Sequence, residues 1–351
     1  MNSRNPSLDV LRGIAVLLVI FRHYPVSRVA LGGWVGVDLF FVLSGFLISG
    51  LLFSDLTSNG SIALRRFYLR RGLKIYPAFY FFLAGTSLLW PVALPHKFLL
   101  SEVFFLQSYL PHIWQHTWSL AVEEHFYFVL PLLLLVLHRG KRLHYLPILS
   151  LLLVIGCFLG RVATGVWSPG HKEWMLVSTH LRIDGLFAGV TLGYLYHFRS
   201  EKFVAYSRWW TGPLGFLLLL PALLGGEISF SPLKLSLLLT LNLAAFGLIV
   251  LWAVPRTYVR SRVLEEIGRY SYSIYLWHFV VAAIWDNQRG CTWVGFGGVV
   301  LTTLAVGIAM ALIVEAPVLR LRDSLIPARV RKAGSEDDDM KPSTSLAEVS
   351  A

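Results

Sequence analysis

The sequence predicts an all-α fold, a polytopic transmembrane helix bundle of about ten spans with both termini cytoplasmic. Three observations predict it. Of 351 residues, 56% are hydrophobic and only 15% charged, against roughly 25% charged residues in a soluble domain. The apolar residues fall into runs of about 17–25, the length that crosses a bilayer as a helix. The cations collect between alternate runs, as the positive-inside rule requires. The same composition excludes an ordinary soluble protein, a disordered one and a nucleic-acid-binding domain. Two cysteines, Cys157 and Cys291, exclude a disulfide framework and a cysteine-ligated metal site. The 12 Trp suit interfacial belts.

The first run, near 8–26, carries Arg12, Arg22 and His23 and is followed by no small-residue cleavage site, so it reads as a retained helix rather than a signal peptide. The second, 34–54, opens on Gly32, Gly33 and Gly36, which with Ser44 permit close helix approach. The third, 75–92, follows five cations from Arg65 to Lys74. The stretch from Phe98 to Leu110 is too short to span and holds Glu102; counting it as a span would put Arg139, Lys141 and Arg142 outside. It reads as a re-entrant or interfacial helix in an outer loop. The remaining runs lie near 117–138, 145–164, 179–198, 209–225, 235–254, 270–288 and 294–320. With the N-terminus inside, the inner segments hold 23 of the 31 Lys and Arg, so the net charge of +11 is mostly loop asymmetry. One membrane domain is expected over 5–325. A polar tail, 326–351, with the acidic run Glu336 to Asp339, reads as disordered and cytoplasmic.

Ionisable groups at bilayer depth are costly, so each asks for a reason. Arg12 and His23, eleven residues apart, project from one face of the first helix about 16 Å apart along its axis. An extended pantetheine arm has a similar length, which suits an acyl-CoA entering from the cytoplasm. The competing reading is a snorkelling arginine and a satisfied core histidine. Asp38, one turn inside the second run, can orient His23 as a carboxylate orients a catalytic histidine, or simply satisfy a helix N-terminus. Arg71 and Lys74 share a face at i and i+3 and can clamp phosphates, or anchor the loop inside. Ser119, Glu123 and Tyr127 share a face of the fourth run and point to a polar site in the bundle interior, the competing reading being a structural salt bridge. Arg182, if buried, needs an acid, either Glu123 or Asp38, and Asp184 lies one turn from His180. His278 and Glu315 read as structural. There is no phosphate-binding glycine loop, no Gly-x-Ser-x-Gly elbow and no histidine pair at zinc spacing; no metal is expected.

Six stretches in order, LDVLRGIAVLLVIFRHY, GWVGVDLFFVLSGFLISGLL, RRGLKIYPAFY, TWSLAVEEHFYFVLP, LRIDGLFAGVTLGYL and YSYSIYLWHF, resemble the acyltransferase-3 family of integral-membrane O-acyltransferases over about residues 5–325. The resemblance implies a ten-helix bundle that moves an acyl group, commonly acetyl, from cytoplasmic acyl-CoA to a hydroxyl. Acceptors in such families include surface polysaccharides, lipopolysaccharide sugars, peptidoglycan and macrolide-type glycosides. His23 matches the family's essential histidine, Arg12 its arginine, and Arg71 with Lys74 its Arg-x-x-Arg pair. Lys74 departs from the commoner arginine and loses bidentate phosphate contact, and His125 stands where glutamine is more usual. No esterase-like outer domain is expected after the tenth run.

The expected chemistry is acyl transfer with His23, Asp38 and Glu123 catalytic. Arg12, Arg71 and Lys74 hold acyl-CoA, acetyl-CoA above all, as co-substrate. Ser119, Arg182 and Asp184 contact the glycan or glycoside acceptor. An acyl-histidine relay is the mechanistic variant. The expected setting is the bacterial inner membrane, with the lipid bilayer and no nucleic acid as partner. The alternative is a transporter or flippase of a small molecule or lipid-linked sugar that uses the same buried charges as its path. A non-catalytic receptor explains those charges least.

Overall fold

The computed structural model describes residues 5–24, 26–89, 96–225, 231–289 and 292–327. Every regular element among them is helical. The expected tail lies almost wholly outside them, from residue 328 on.

Helix α1, Pro6–His23, starts where Asn5 caps it, accepting from Ser7 N at 3.1 Å, with Pro6 already in the φ that a first helical residue needs. It is followed by α2 (Val35–Asn59), closed by Gly60 at φ +68°, and α3 (Leu64–Leu89), with Pro77 inside it. After the short α4 (His96–Val103) come α5 (Trp118–Arg139), α6 (Leu146–Trp167), α7 (Asp184–Phe198), α8 (Thr211–Leu224) and α9 (Pro232–Ala253). The chain ends with α10 (Arg262–Arg269), α11 (Ser271–Arg289), α12 (Trp293–Met310) and α13 (Ala316–Leu325). A π-helical stretch, Ala311–Glu315, joins the last two.

Helix α2 is the axis of the bundle: 78% of its apolar window is buried, against 22% for α6. One core, with Phe79, Phe82, Phe126 and Leu276, lies on the side of α3, α5 and α11. A second, with Leu235, Leu239, Phe246 and Val250, lies on the side of α8 and α9. The outer faces of α6 and α12 keep Leu151, Leu152, Leu159 and Leu301 more than half exposed, a surface that lipid covers and water would not tolerate.

The crossing of α2 on α7 needs glycine. A Cβ on Gly45 would stand 1.9 Å from the Leu186 carbonyl oxygen, and one on Gly189 2.2 Å from that of Val42. Backbone meets backbone there, so no rotamer can relieve the clash. Gly45→Val is expected to cost about 3 kcal/mol or more, whereas Gly247→Ala, with nothing within 4 Å, should be near neutral. Thermal unfolding of both variants in detergent checks this, and equal midpoints would refute it.

Among the described residues, five helices are long and apolar enough to cross a membrane, in the stretches Gly32–Asn59, Gln115–Arg139, Leu143–Trp167, Pro232–Ala253 and Trp293–Leu325, which makes the chain a multi-pass membrane protein. The other runs are helical but shorter or more charged: α1 carries Asp9, Arg12 and Arg22, and α7 has only 15 residues. The sixth run is not one helix, because Thr179–Arg182 and α7 are separated at Ile183. The amphipathic helix α10 packs on α1 without having been expected. The reading of residues 98–110 as too short to span is met. The Glu102 carboxylate accepts from Ile113 N (3.0 Å), Trp114 N (3.1 Å) and Thr117 Oγ1 (3.0 Å), folding that loop back on itself.

Candidate active site

A cleft with an empty volume of about 870 Å³, open mouth included, runs between α1, α2, α3, α5 and α11. Arg12 enters it from α1, Arg71 and Lys74 from α3, and Ser119, Glu123, Glu124 and Tyr127 from α5. Five of the residues expected at the site, far apart in sequence, thus share one cavity. Among the described residues, none of its three cations has a carboxylate within 4 Å. Arg71 lies 5.3 Å from the centre of the Tyr127 ring, and its Nη2 is buried without a hydrogen bond. A buried, unpartnered guanidinium nitrogen is a donor held ready for an anion.

The carboxylates are anchored by hydroxyls instead. Tyr127 donates to Glu123 Oε2 at 2.5 Å, and Ser44 Oγ lies 2.6 Å from the same phenol. Tyr76 donates to Glu124 Oε2 at 3.0 Å, while Glu124 Oε1 is buried and unpartnered. At the α11 wall, Ser119 Oγ and Tyr275 Oη are 2.5 Å apart, and Tyr275 also donates to the His116 carbonyl at 2.9 Å.

His23 does not line the cleft. It lies behind Tyr275, in a cluster of three histidines. Its Nδ1 is 3.0 Å from the Val19 carbonyl oxygen and 3.0 Å from His278 Nε2. The ring of His116 stands edge-on to that of His278, centroids 5.0 Å apart, and the Tyr275 ring is 5.3 Å from His278. Tyr275 therefore connects the cleft to the histidines.

Asp38 is a correction. Its Oδ1 accepts from Arg182 Nη2 at 2.5 Å and its Oδ2 from Asn242 Nδ2 at 2.9 Å, so it does not orient His23. Geometry explains this, since Asp38 faces the short helix Thr179–Arg182 and α9 while His23 faces α11. The same bond decides between the two partners open to Arg182, whose guanidinium is further enclosed by the rings of Phe41 and Trp118. Asp184 is held by Arg161 at 2.6 Å, and Arg161 also donates to Leu181 O (2.6 Å) and Thr240 Oγ1 (3.0 Å). His180, the expected neighbour of Asp184, bonds Tyr109 instead. Arg182 and Asp184 sit in two closed ion pairs, outside the cleft lining.

Sequence reasoning passed over His116, Tyr275, Arg161 and the part His278 plays. Arg161, alone in the fifth apolar run, carried the usual signal of an intramembrane charge. The histidines carried none, because their meeting depends on how α1 packs on α11.

The sequence profile of the family described as "Acyltransferase domain" (acyltransferase-3) matches residues 5–314. The peptidoglycan O-acetyltransferase OatA of Listeria monocytogenes is 29% identical over 326 residues, covering 80% of this chain and 49% of the relative. The O-acetyltransferase OatA of Staphylococcus aureus is 28% identical over 307 residues, covering 79% and 50%. The chain spans about half the length of these relatives. No solved structure matches. With the profile covering nearly the whole helical bundle, the chain belongs to the acyltransferase-3 family.

Proposed function

We propose that the chain is an O-acetyltransferase that moves an acetyl group from cytoplasmic acetyl-CoA to a hydroxyl of a cell-wall or surface glycan. The observation that carries this is the cleft itself: three cations without a carboxylate partner, Arg12, Arg71 and Lys74, in one cavity whose wall residue Tyr275 packs against the histidine cluster that holds His23. The cations are to bind CoA phosphates. His23, about 16 Å up the same helix from Arg12, is to meet the thioester end. The name of the Listeria relative makes peptidoglycan the first acceptor to test. The reading places the bundle in the inner membrane, as ten spans with both termini cytoplasmic.

His23 Nε2 removes the acceptor hydroxyl proton as general base. The alkoxide oxygen bonds to the thioester carbonyl carbon, and the C–S bond breaks. The CoA thiolate leaves and takes the proton back from His23, so the products are acetyl ester and free CoA thiol. Glu123, fixed by Tyr127, holds the cleft wall on the acceptor side.

The test is acetyl transfer from radiolabelled acetyl-CoA to glycan fragments by the purified protein in proteoliposomes. Absence of ester product, together with solute uptake that needs no donor, would replace this reading with a transporter. Arg71→Ala is expected to raise KM for acetyl-CoA about 10- to 100-fold, the worth of a lost charge-assisted contact, with a smaller change in kcat. An unchanged KM would remove Arg71 from the donor site.

A further inference from the structure

We propose that His278 is a positioning residue for His23: its Nε2 accepts the Nδ1–H of His23, holding the imidazole in the tautomer whose Nε2 is a free base and accepting a stronger hydrogen bond when that base takes a proton. The inference rests on the reading of His23 as base given above and assigns it a partner.

Backbone carbonyls set the protons. The Tyr275 carbonyl oxygen lies against His278 Nδ1. A carbonyl only accepts, so the hydrogen is on Nδ1, and a neutral imidazole has just one. His278 Nε2 is then an acceptor. It faces His23 Nδ1 at 3.0 Å, and the Val19 carbonyl oxygen faces the same Nδ1 at 3.0 Å. Two acceptors converge on that nitrogen, so it carries the proton, shared between them. His23 Nε2 is left with its lone pair.

The opposite assignment fails twice. A hydrogen on His278 Nε2 would make His278 an imidazolium while setting a lone pair of His23 against the Val19 oxygen. His278 is 1% exposed, and a cation there would need an acid, which none of the described residues supplies within 4 Å. The groups around it are His23, the Tyr275 backbone and ring, and His116. His116 is pinned by its own bond from Nε2 to the Leu276 carbonyl at 3.1 Å, and its buried Nδ1 has no partner. An unpaired buried charge is costly.

The arrangement performs what a carboxylate does beside a catalytic histidine: it selects the tautomer, holds the ring and stabilises the imidazolium. A neutral imidazole does so without placing a negative charge in the bundle. Phe279, edge-on to His23 with centroids 5.0 Å apart, limits rotation of the ring.

The test uses the full chain in nanodiscs and three variants, His278→Gln, His278→Asn and His278→Phe. Glutamine can place its amide oxygen where Nε2 was. Asparagine reaches only the Nδ1 position, and phenylalanine keeps the ring alone. Asparagine and phenylalanine are expected to lower kcat at least about 10-fold with KM for acetyl-CoA unchanged, and glutamine to recover most of the loss. If the phenylalanine variant does not fold, the Gln–Asn contrast still decides. Independently of turnover, ¹⁵N shifts of labelled histidines, assigned by their loss in the His23→Ala and His278→Gln proteins, should show both residues protonated on Nδ1. Equal kcat in Gln and Asn variants, or an Nε2–H on either histidine, overturns the inference. If that happens while His23→Ala is inactive, the proposed function stands and only the partner is wrong; full turnover by His23→Ala overturns both.

Discussion

His23→Ala is expected to lower acetyl transfer about 10²- to 10⁴-fold while binding of acetyl-CoA stays intact. The range is what a positioned general base contributes. It should apply to kcat rather than KM, because His23 stands outside the cleft lining and touches none of the cationic groups. The fold should survive. His23 is the last residue of α1, it is half-buried, and its contacts with Val19 and His278 hold the ring rather than the helix. The measurement is transfer rate and equilibrium binding of labelled acetyl-CoA on one preparation. Loss of both together would point to damage at the donor site, and loss of neither would end the general-base scheme.

Arg161→Leu is expected to destabilise the protein by about 3–5 kcal/mol, enough to reduce or abolish folded protein in the membrane. Arg161 and Asp184 are 0% and 1% exposed. Removing the guanidinium leaves the Asp184 carboxylate buried with only the Gly185 N–H at 3.0 Å. It also strips the Leu181 carbonyl and the Thr240 hydroxyl of their donor. The pair ties α6 to the first residue of α7, just after the break at Ile183, and the Thr240 bond adds α9 to the same guanidinium. Arg161→Leu combined with Asp184→Leu should be less damaging than Arg161→Leu alone, since the penalty belongs to the unpaired charge and not to the absence of the pair. Thermal midpoints in detergent for the single and double variants decide. A single variant that melts with the wild type would show that the pair carries no stability.

Much of the site was legible in the sequence because membrane depth makes charge expensive, so the few charges in apolar runs had to gather. Arg12, Arg71, Lys74, Ser119 and Glu123 do meet in one cleft. The spacing on a single helix was readable for the same reason, since i, i+3 and i, i+4 relations need no knowledge of the fold. Partners across helices were not readable. Asp38 was a plausible neighbour of His23 by depth alone, yet depth leaves the rotation of each helix open, and the carboxylate points to Arg182 and Asn242. His278 read as structural because its own helix offers only the Tyr275 carbonyl, and its significance comes from α1.

By itself the sequence determined the all-helical class, the membrane setting and the family, and it singled out five of the polar residues that line the cleft, Arg12, Arg71, Lys74, Ser119 and Glu123. Each of these follows from local pattern: run length, charge between runs and ordered motifs. Tertiary structure alone decided which acid meets which base. It paired Asp38 with Arg182 and Asp184 with Arg161, and placed His278 beside His23. The physical reason is that such pairs depend on how each helix is rotated about its axis. That rotation is set by backbone contacts such as Gly45 on Leu186, which join residues far apart in the chain.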